Sequence, residues 1–371
     1  MTGAIRFYLG SSREVFIGCL HVDNIGPGFR IFNPSVTAFG DRILLSLRAS
    51  NIEKCNRTGK FFLSPPHREM KNEIILGELN EDFSLKWQIH VDLQGKANKQ
   101  PLAPHGFEDM RIVVSPNDRL EGMCCVPSPD YLLKPRAELG FGKYFSTKMG
   151  RIQFSPEFEI DRVTIFESPF KRRMEKNWSP FYLDGKFCVI YQWNPLIILE
   201  LLPHGTRQFL KWFDSSDQLK DLRGSSQGVQ TKSGFLFVVH RKCIIDGKMR
   251  FSHQFIELGH DLQPLRISEQ FGLVLDTMIE YCAGLARFKD RYLLSFGLND
   301  STPFIMEMGE KAVERLLVPF AKSITENESI LSASPETFAQ VATAEFPTES
   351  PLGLKGYLKW RAGKLLQALR K

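Results

Sequence analysis

The stretch FNPSVTAFGDRILLSLR, residues 32–48, leads from a polar, small-residue segment through a Gly-Asp turn into an apolar run. The same succession returns four more times along the chain. Short apolar runs that are rich in β-branched or aromatic residues and bounded by turn residues are typical of strands. The further copies are FEDMRIVVSPNDRLEGMCCV (107–126), NWSPFYLDGKFCVIYQW (177–193), SSQGVQTKSGFLFVVHR (225–241) and YCAGLARFKDRYLLSFG (281–297).

The five copies are spaced so that each can contain a few strands. Anchored on Asn33, Glu108, Asn177, Ser225 and Tyr281, successive offsets are 75, 69, 48 and 56 residues. Units of this size arranged radially make a β-propeller, in which blades pack against each other and hide their sheet edges. The sequence therefore predicts an all-β, five-bladed β-propeller. An irregular β-sandwich is the alternative.

Composition indicates a folded, soluble chain. The 371 residues are 43% hydrophobic and 12% aromatic. The start lacks the basic and apolar blocks of a secretory signal, and no segment reaches the roughly 18 to 20 apolar residues that cross a bilayer. Seven cysteines without a C-x-x-C pair fit reduced thiols. We therefore expect a cytoplasmic protein.

The net charge of +6 is concentrated at the C-terminal end. Residues 351–371 contain six Lys or Arg and no acid, so the remaining body is close to neutral, which argues against a nucleic-acid-binding body. Within residues 351–371, apolar residues at helical spacing form one stripe, which predicts a basic amphipathic helix. We expect this helix to bind peripherally to the inner face of a membrane. A helix docked on protein is the alternative. We expect a propeller over 1–320, a linker or loosely packed extension over 321–350 and the helix over 351–371.

The order of several short motifs resembles the five-bladed β-propeller β-mannoside phosphorylases and the related β-1,2-mannosyltransferases. The likeness covers roughly residues 31 to 300, and the motifs are FNPSV, a strand ending in Arg48, EDMR, EKNWSPF, a strand ending in His240, and SFGLND. It implies that Asp109 is the catalytic proton donor, acting through a sugar hydroxyl, and that cations from other blades hold phosphate. Met110 and Asn177 depart from the family, which has a proline and a carboxylate there. NWSPF and YCAGLA are closer to a glycosyltransferase-like branch.

Polar residues at the starts and ends of inner strands are expected to line the central funnel. One carboxylate among several cations suits phosphate or an anionic leaving group, because Arg and Lys stabilise the developing charge. In an extended segment Glu108 would point away from its neighbour Asp109. We predict these roles: catalysis by Asp109; phosphate or nucleotide binding by Arg48, Arg111, Lys176 and His240; sugar binding by Glu108, Asn33, Trp178 and Asp300.

Structural roles are the alternative for several of these residues. Asp109 and Arg111 can form a pair that caps a strand, and Arg48 can be a solvated strand end. His240 and Trp178 can be core residues, since aromatic side chains usually are.

The leading functional hypothesis is an inverting glycosyltransferase of polysaccharide biosynthesis. It would move a sugar such as mannose from a nucleotide-sugar to a glycan or lipid-linked glycan, with Asp109 as general base. The alternatives are a glycoside phosphorylase that uses inorganic phosphate in the same pocket and a non-catalytic propeller that binds a glycan or protein. No metal or cofactor is expected, because D-x-D, P-loop, G-x-G-x-x-G and zinc-ligand spacings are missing from the sequence.

Overall fold

The computed structural model describes residues 7–12, 14–54, 61–64, 66–67, 69–91, 105–127, 146–170, 172, 174–245, 248–274, 279–321 and 323–327. The predicted helix over 351–371 lies outside these residues, as does most of the extension over 321–350. Both stay predictions. No helix within the described ranges is long and apolar enough to span a bilayer.

The described chain is mostly β-structure, with one α-helix, α1 (Glu310–Leu316), and short 3-10 turns at Leu9–Ser11, Pro203–Gly205 and Asp217–Leu219. The strands are β1 (Phe7–Tyr8), β2 (Val15–Cys19), β3 (Arg30–Phe39), β4 (Arg42–Ser50), β5 (Ile52–Lys54), β6 (Phe61–Leu63), β7 (Asn72–Leu79), β8 (Leu85–His90), β9 (Glu108–Val114), β10 (Leu120–Pro127), β11 (Thr147–Phe154), β12 (Ile160–Phe166), β13 (Ser179–Leu183), β14 (Lys186–Trp193), β15 (Leu196–Leu201), β16 (Arg207–Phe213), β17 (Arg223–Gly224), β18 (Val229–Gln230), β19 (Gly234–Ile245), β20 (Lys248–Gly259), β21 (Pro264–Ser268), β22 (Phe271–Gly272), β23 (Glu280–Phe288), β24 (Arg291–Leu298), β25 (Thr302–Gly309) and β26 (Leu317–Pro319).

Four sheets each contain four antiparallel strands in up-and-down order. Their orders are β3-β4-β7-β8, β9-β10-β11-β12, β13-β14-β15-β16 and β23-β24-β25-β2. In the last of these sheets the outer strand comes from early in the chain and pairs with β25. Four-stranded meanders of this kind are the blades of a propeller.

The remaining copy of the repeat lies in a larger sheet of eight strands. Its path is β1-β22-β20-β19-β17, and β18, β21 and β26 attach to it. Strands β19 and β20 contain 12 residues each and are longer than the short strands that pair with them. The arrangement is therefore propeller-like with four four-stranded blades, and the prediction of five blades is not confirmed.

Successive sheets contact one another through their inner strands. Contacts join β3 to β9, β9 to β13, β14 to β17, β19 to β23, and β23 to β3. Apolar clusters fill the spaces between neighbouring sheets, so most inner strands are buried on both faces and read as continuous apolar runs. Pairs that represent the five larger clusters among the described residues are Val36 and Leu293, Ile74 and Ile112, Met123 and Val189, Ile198 and Phe237, and Phe255 and Leu294.

A buried glutamine ties three sheets together at the centre. The side-chain nitrogen Nε2 of Gln227 donates to the carbonyl oxygens of Val36, at 2.6 Å, and Leu285, at 2.8 Å. Gln227 is 2% exposed. Because buried amide groups must be hydrogen-bonded, this contact fixes the inner strands beside the polar site described next.

Candidate active site

Four polar residues, in a strand bulge, at a strand start or in a segment that adjoins a strand, have a left-handed backbone. The φ angle is 49° at Asn33, 48° at Asp109, 63° at Asn177 and 51° at Asp300. Asn and Asp tolerate this region better than other residues with a side chain. At Asn33 the register of β3 against β4 shifts, which marks a bulge. Bulges re-aim side chains, and these four residues come from four different sheets.

Asp109 is held by donors from the neighbouring sheet. Its Oδ1 accepts a hydrogen bond from Asn33 Nδ2 at 2.9 Å and one from Arg48 Nη1 at 3.1 Å. The Asp109 side chain nevertheless remains 21% exposed. This carboxylate is therefore fixed in orientation and still reachable by a ligand.

Glu108 contacts the same cation as Asp109. Its Oε1 lies 3.0 Å from Arg48 Nη2, and its Oε2 lies 3.6 Å from Lys176 Nζ. The expectation that Glu108 points away from Asp109 is wrong, because the left-handed conformation of Asp109 interrupts the alternation of an extended strand. Glu108 is 6% exposed and holds two cations in place.

The charges around Asp109 control its protonation. Burial acts to raise the pKa of Asp109, but Arg48, the hydrogen bond from Asn33, Arg111 and Lys176 outweigh burial and lower the pKa below its ordinary value. Asp109 is therefore ionised near neutral pH when no ligand is bound.

The two cations beside Glu108 and Asp109 are stabilised in return. Burial acts to lower the pKa of Arg48 and of Lys176, yet the nearby carboxylates raise both. Asp300 is close enough to contribute to the effect on Arg48. Arg48 also donates from Nε to Asn72 Oδ1 at 2.9 Å, and only 10% of its side chain is exposed, whereas Lys176 keeps 42% of its side chain exposed.

Arg111 is fully buried and joins three other inner segments to its own strand. It donates to the carbonyl oxygens of Ser225 (2.5 Å) and Asp109 (3.0 Å), to Asn177 Oδ1 (3.1 Å) and to the hydroxyl of Tyr281. Arg111 is 0% exposed, so a phosphate ion cannot contact its guanidinium group. The predicted phosphate contact is therefore corrected to a structural one.

His240 is also buried, at 1% exposure, with Nδ1 2.8 Å from Ser225 Oγ and its ring stacked on Phe251. Burial, with His253, Arg223 and Lys242 nearby, holds its pKa well below the ordinary value. A neutral, covered imidazole is not an anion ligand here. Two exposed cations that sequence analysis did not single out, Arg223 and Lys242, lie near it instead.

The indole ring of Trp178 is not accessible for stacking on a sugar. It is 0% exposed, donates from Nε1 to Glu175 Oε2 at 3.1 Å, and packs edge-on against Tyr191. The expectation of stacking on a sugar is wrong because protein covers the ring. The alternative reading, a core aromatic residue, is the one the structure supports.

The anchors of the sequence repeat converge on the site. Asn33, Asn177, Ser225 and Tyr281 all contact Asp109 or Arg111, and Glu108 pairs with Arg48. The first four occupy equivalent positions of the sequence repeat, but the sequence predicts a site role for Asn33 alone among them. Alignment of equivalent repeat positions was the signal that could have identified the other three. Asn72 carried no such signal.

Among the described residues there is no group of three or more His, Cys, Asp or Glu that could hold a metal ion.

Comparison with known proteins gives a fold likeness. No family model and no curated protein sequence match the chain. A β-1,2-mannobiose phosphorylase from Listeria innocua in complex with β-1,2-mannobiose is 13% identical, with a TM-score of 0.51 over 80% of this chain and 94% of that one. A putative glycoside hydrolase from Bacteroides ovatus is 12% identical, with a TM-score of 0.53 over 77% and 88%.

A third similar structure is described as part of the GH130 family of mannoside phosphorylases that contains hydrolases of β-1,2-mannosidic linkages in Candida mannan. It is 12% identical, with a TM-score of 0.53 over 84% of this chain and 95% of that one. These structural neighbours are β-mannoside phosphorylases and glycoside hydrolases with a propeller-like fold. The chain shares that fold with them.

The comparison overturns the leading functional hypothesis. The similar structures are described as phosphorylases and glycosidases, and one is a complex with mannobiose. A nucleotide-sugar glycosyltransferase of polysaccharide biosynthesis, with its nucleotide-sugar donor and lipid-linked acceptor, is therefore the wrong prediction. The phosphorylase alternative agrees better with the neighbours, and a glycan substrate stays compatible with them.

Proposed function

We propose that the chain is a glycoside phosphorylase that cleaves a β-linked mannoside with inorganic phosphate. The observation that carries the proposal is the placement of Asp109, which Asn33 and Arg48 orient while 21% of its side chain stays exposed. The neighbouring acid, Glu108, is engaged with two cations and nearly covered. One carboxylate is thus available for proton transfer in a group of fixed charges.

In the proposed reaction a phosphate oxygen attacks the anomeric carbon and the bond to the glycosidic oxygen breaks. That oxygen takes a proton from Asp109, directly or through a sugar hydroxyl, and the products are a sugar phosphate and the shortened glycan. Asp109 is ionised in the free protein. Binding of the phosphate co-substrate must therefore raise the pKa of Asp109 so that the carboxyl group carries the proton that it donates. A phosphate dianion nearby has this effect, because a like charge raises the pKa of a carboxyl group.

The phosphate contacts are assigned to the cations that remain accessible. Lys176 is 42% exposed, and Arg223 and Lys242 are exposed near the buried His240. Arg48 orients Asp109 and adds positive charge. The partly exposed Asp300 is proposed to bind a sugar hydroxyl, whereas Asn33 and Glu108 position other site groups.

We also propose that the eight-stranded sheet is the fifth blade of the propeller. Its inner segment supplies Ser225 and Gln227 to the centre, and its strands contact the sheets on either side. Its core of β18, β19, β20 and β21 is antiparallel in the same order as the other blades.

The experiment is incubation with β-1,2-mannobiose, with and without inorganic phosphate, followed by measurement of mannose and mannose phosphate. Phosphate-dependent release of both sugars supports the proposal. Absence of turnover with a panel of β-mannosides would contradict it and favour a non-catalytic glycan-binding propeller.

The burial of Arg111 and His240 favours a second candidate, a glycoside hydrolase, because it removes two of the expected phosphate ligands. In that case mannose alone would form, at a rate independent of phosphate.

A further inference from the structure

The side-chain amide of Asn177 lies where three sheets meet. Its Oδ1 accepts hydrogen bonds from Arg111 Nη2 at 3.1 Å and from the Tyr281 hydroxyl at 2.8 Å. Its main-chain carbonyl oxygen faces Gly224 so closely that a Cβ there would come within 2.0 Å. Both the backbone and the side chain of Asn177 are therefore fixed.

The chemistry of Arg111 determines which end of the amide faces it. A guanidinium group has only donors, so the atom of Asn177 that faces it must be the oxygen. The amide nitrogen is then turned away from Arg111 and Tyr281. It makes no hydrogen bond to any residue that the structure describes, and Asn177 is partly exposed. Two N–H donors are thus left for a ligand.

The two amide donors favour an oxygen acceptor as that ligand. Arg111 donates to four neutral groups, one of them the Asp109 carbonyl oxygen, and its charge also acts on the nearby Asp109 carboxylate. Lys176, the chain neighbour of Asn177, is also positively charged. An oxygen that only accepts hydrogen bonds, such as a phosphate oxygen, fits these two N–H donors beside Arg111 and Lys176.

A carboxylate at position 177 would serve every other contact equally well. Aspartate tolerates the same backbone region, and its oxygen would accept the hydrogen bonds from Arg111 and Tyr281. What the amide adds is a pair of donors and the lack of a negative charge. The contacts described above make no use of the two N–H donors, so these are available to a further partner.

We infer that Asn177 is a specificity-determining residue whose side-chain N–H groups bind an oxygen of the phosphate co-substrate, an inference that rests on the proposed function. The residue would thereby favour phosphate over water as the attacking group. It takes no part in proton transfer.

The test compares Asn177→Asp with wild type by isothermal calorimetry with inorganic phosphate and by phosphorolysis kinetics. We expect the Kd and the KM for phosphate to rise by about 10-fold or more, since a charge-assisted hydrogen bond is lost and a like charge is introduced. The KM for the mannoside should change by less than about 3-fold. Asn24→Asp is the matched control, because Asn24 also has a positive φ of 56° and lies exposed outside the site.

A second variant separates orientation from donation. Tyr281→Phe removes one hydrogen bond to Asn177 Oδ1 but leaves Arg111 to orient the amide, so phosphate affinity should fall by less than in Asn177→Asp. An unchanged Kd for phosphate in Asn177→Asp, with wild type binding phosphate, overturns this inference alone. A rise confined to the KM for the mannoside also overturns it. A wild-type protein that neither binds phosphate nor shows phosphate-dependent turnover removes the proposed phosphorylase function with it.

Discussion

Asn33 donates a hydrogen bond to the carboxylate of Asp109 at 2.9 Å, although 76 residues separate them along the chain. Both residues adopt positive φ angles, on inner strands of neighbouring sheets. The contact connects two sheets and orients the one acid that is proposed to transfer a proton. Catalytic geometry and sheet packing are therefore coupled at this point.

Replacement of Asp109 by Asn should abolish most activity and keep the fold. The amide oxygen of the new side chain can still accept from Asn33 and Arg48, but no proton can be transferred. We expect kcat to fall by about 100-fold to 10,000-fold, the usual scale of general acid-base catalysis. Asp118→Asn is the control, since Asp118 shares the positive φ, 51°, in an exposed turn. Near-wild-type turnover in Asp109→Asn would remove Asp109 from the mechanism.

Replacement of Arg111 by Met should destabilise the protein without any ligand present. The change removes the Arg111 hydrogen bonds to the carbonyl oxygens of Ser225 and Asp109 and one of the two that Asn177 Oδ1 accepts. We expect the free energy of unfolding to fall by about 3 kcal/mol or more, because each unsatisfied buried polar group is costly. Urea denaturation measures this. A variant as stable as wild type would contradict the structural role of Arg111.

Replacement of Gly224 by Ala should distort the site through the backbone. The added Cβ would lie 2.0 Å from the carbonyl oxygen of Asn177 and 2.7 Å from Ser179 Oγ, so one strand must move. We expect a loss of about 1 to 3 kcal/mol in stability together with reduced activity. In the control, Gly309→Ala, the Cβ meets no atom within 4 Å, and stability should stay within about 0.5 kcal/mol. Equal effects of the two changes would contradict the predicted clash.

The ion cluster at Glu78 predicts a pH dependence of stability. Glu78 accepts from Arg42, Lys86 and Trp87, each at 2.8 Å. Burial opposes ionisation, but the hydrogen bonds from these three residues lower the pKa of Glu78 from 4.5 to about 2. Because the folded-state pKa lies below the unfolded one, the stabilisation is fully present above pH 4.5 and is lost as the pH falls toward about 2.

Glu78→Gln should therefore cost stability on the order of 3 kcal/mol near neutral pH, and the difference from wild type should shrink toward acid. Urea denaturation at about pH 7 and about pH 3.5 checks this. Glu81→Gln is the control, since Glu81 is an exposed carboxylate whose surface pairs with Lys289 and Arg291 contribute little. A pH-independent difference for Glu78→Gln would contradict the prediction.

The β-rich class, the repeat and the choice of Asp109 as the candidate acid could all be predicted from the amino-acid sequence. Apolar runs bounded by turn residues are local features, and the repeat anchors mark equivalent positions of successive sheets. Four anchors that were used only for alignment, or given a lesser role, proved to surround Asp109 and Arg111. Local pattern and a resemblance were enough to predict the region of the candidate site.

The burial and the partners of each polar side chain in this region could not be predicted from the sequence. Arg111 and Lys176 are both cations beside strand starts, yet one is 0% exposed and the other keeps 42% of its side chain exposed. Trp178 and His240 are buried for the same reason, that neighbouring sheets cover them. The sheet that contains His240 also gained strands from distant segments, which no local pattern indicates. The surfaces that meet across the fold determine whether a charged side chain is buried and which groups it contacts. The physical role of that residue follows from its burial and its contacts.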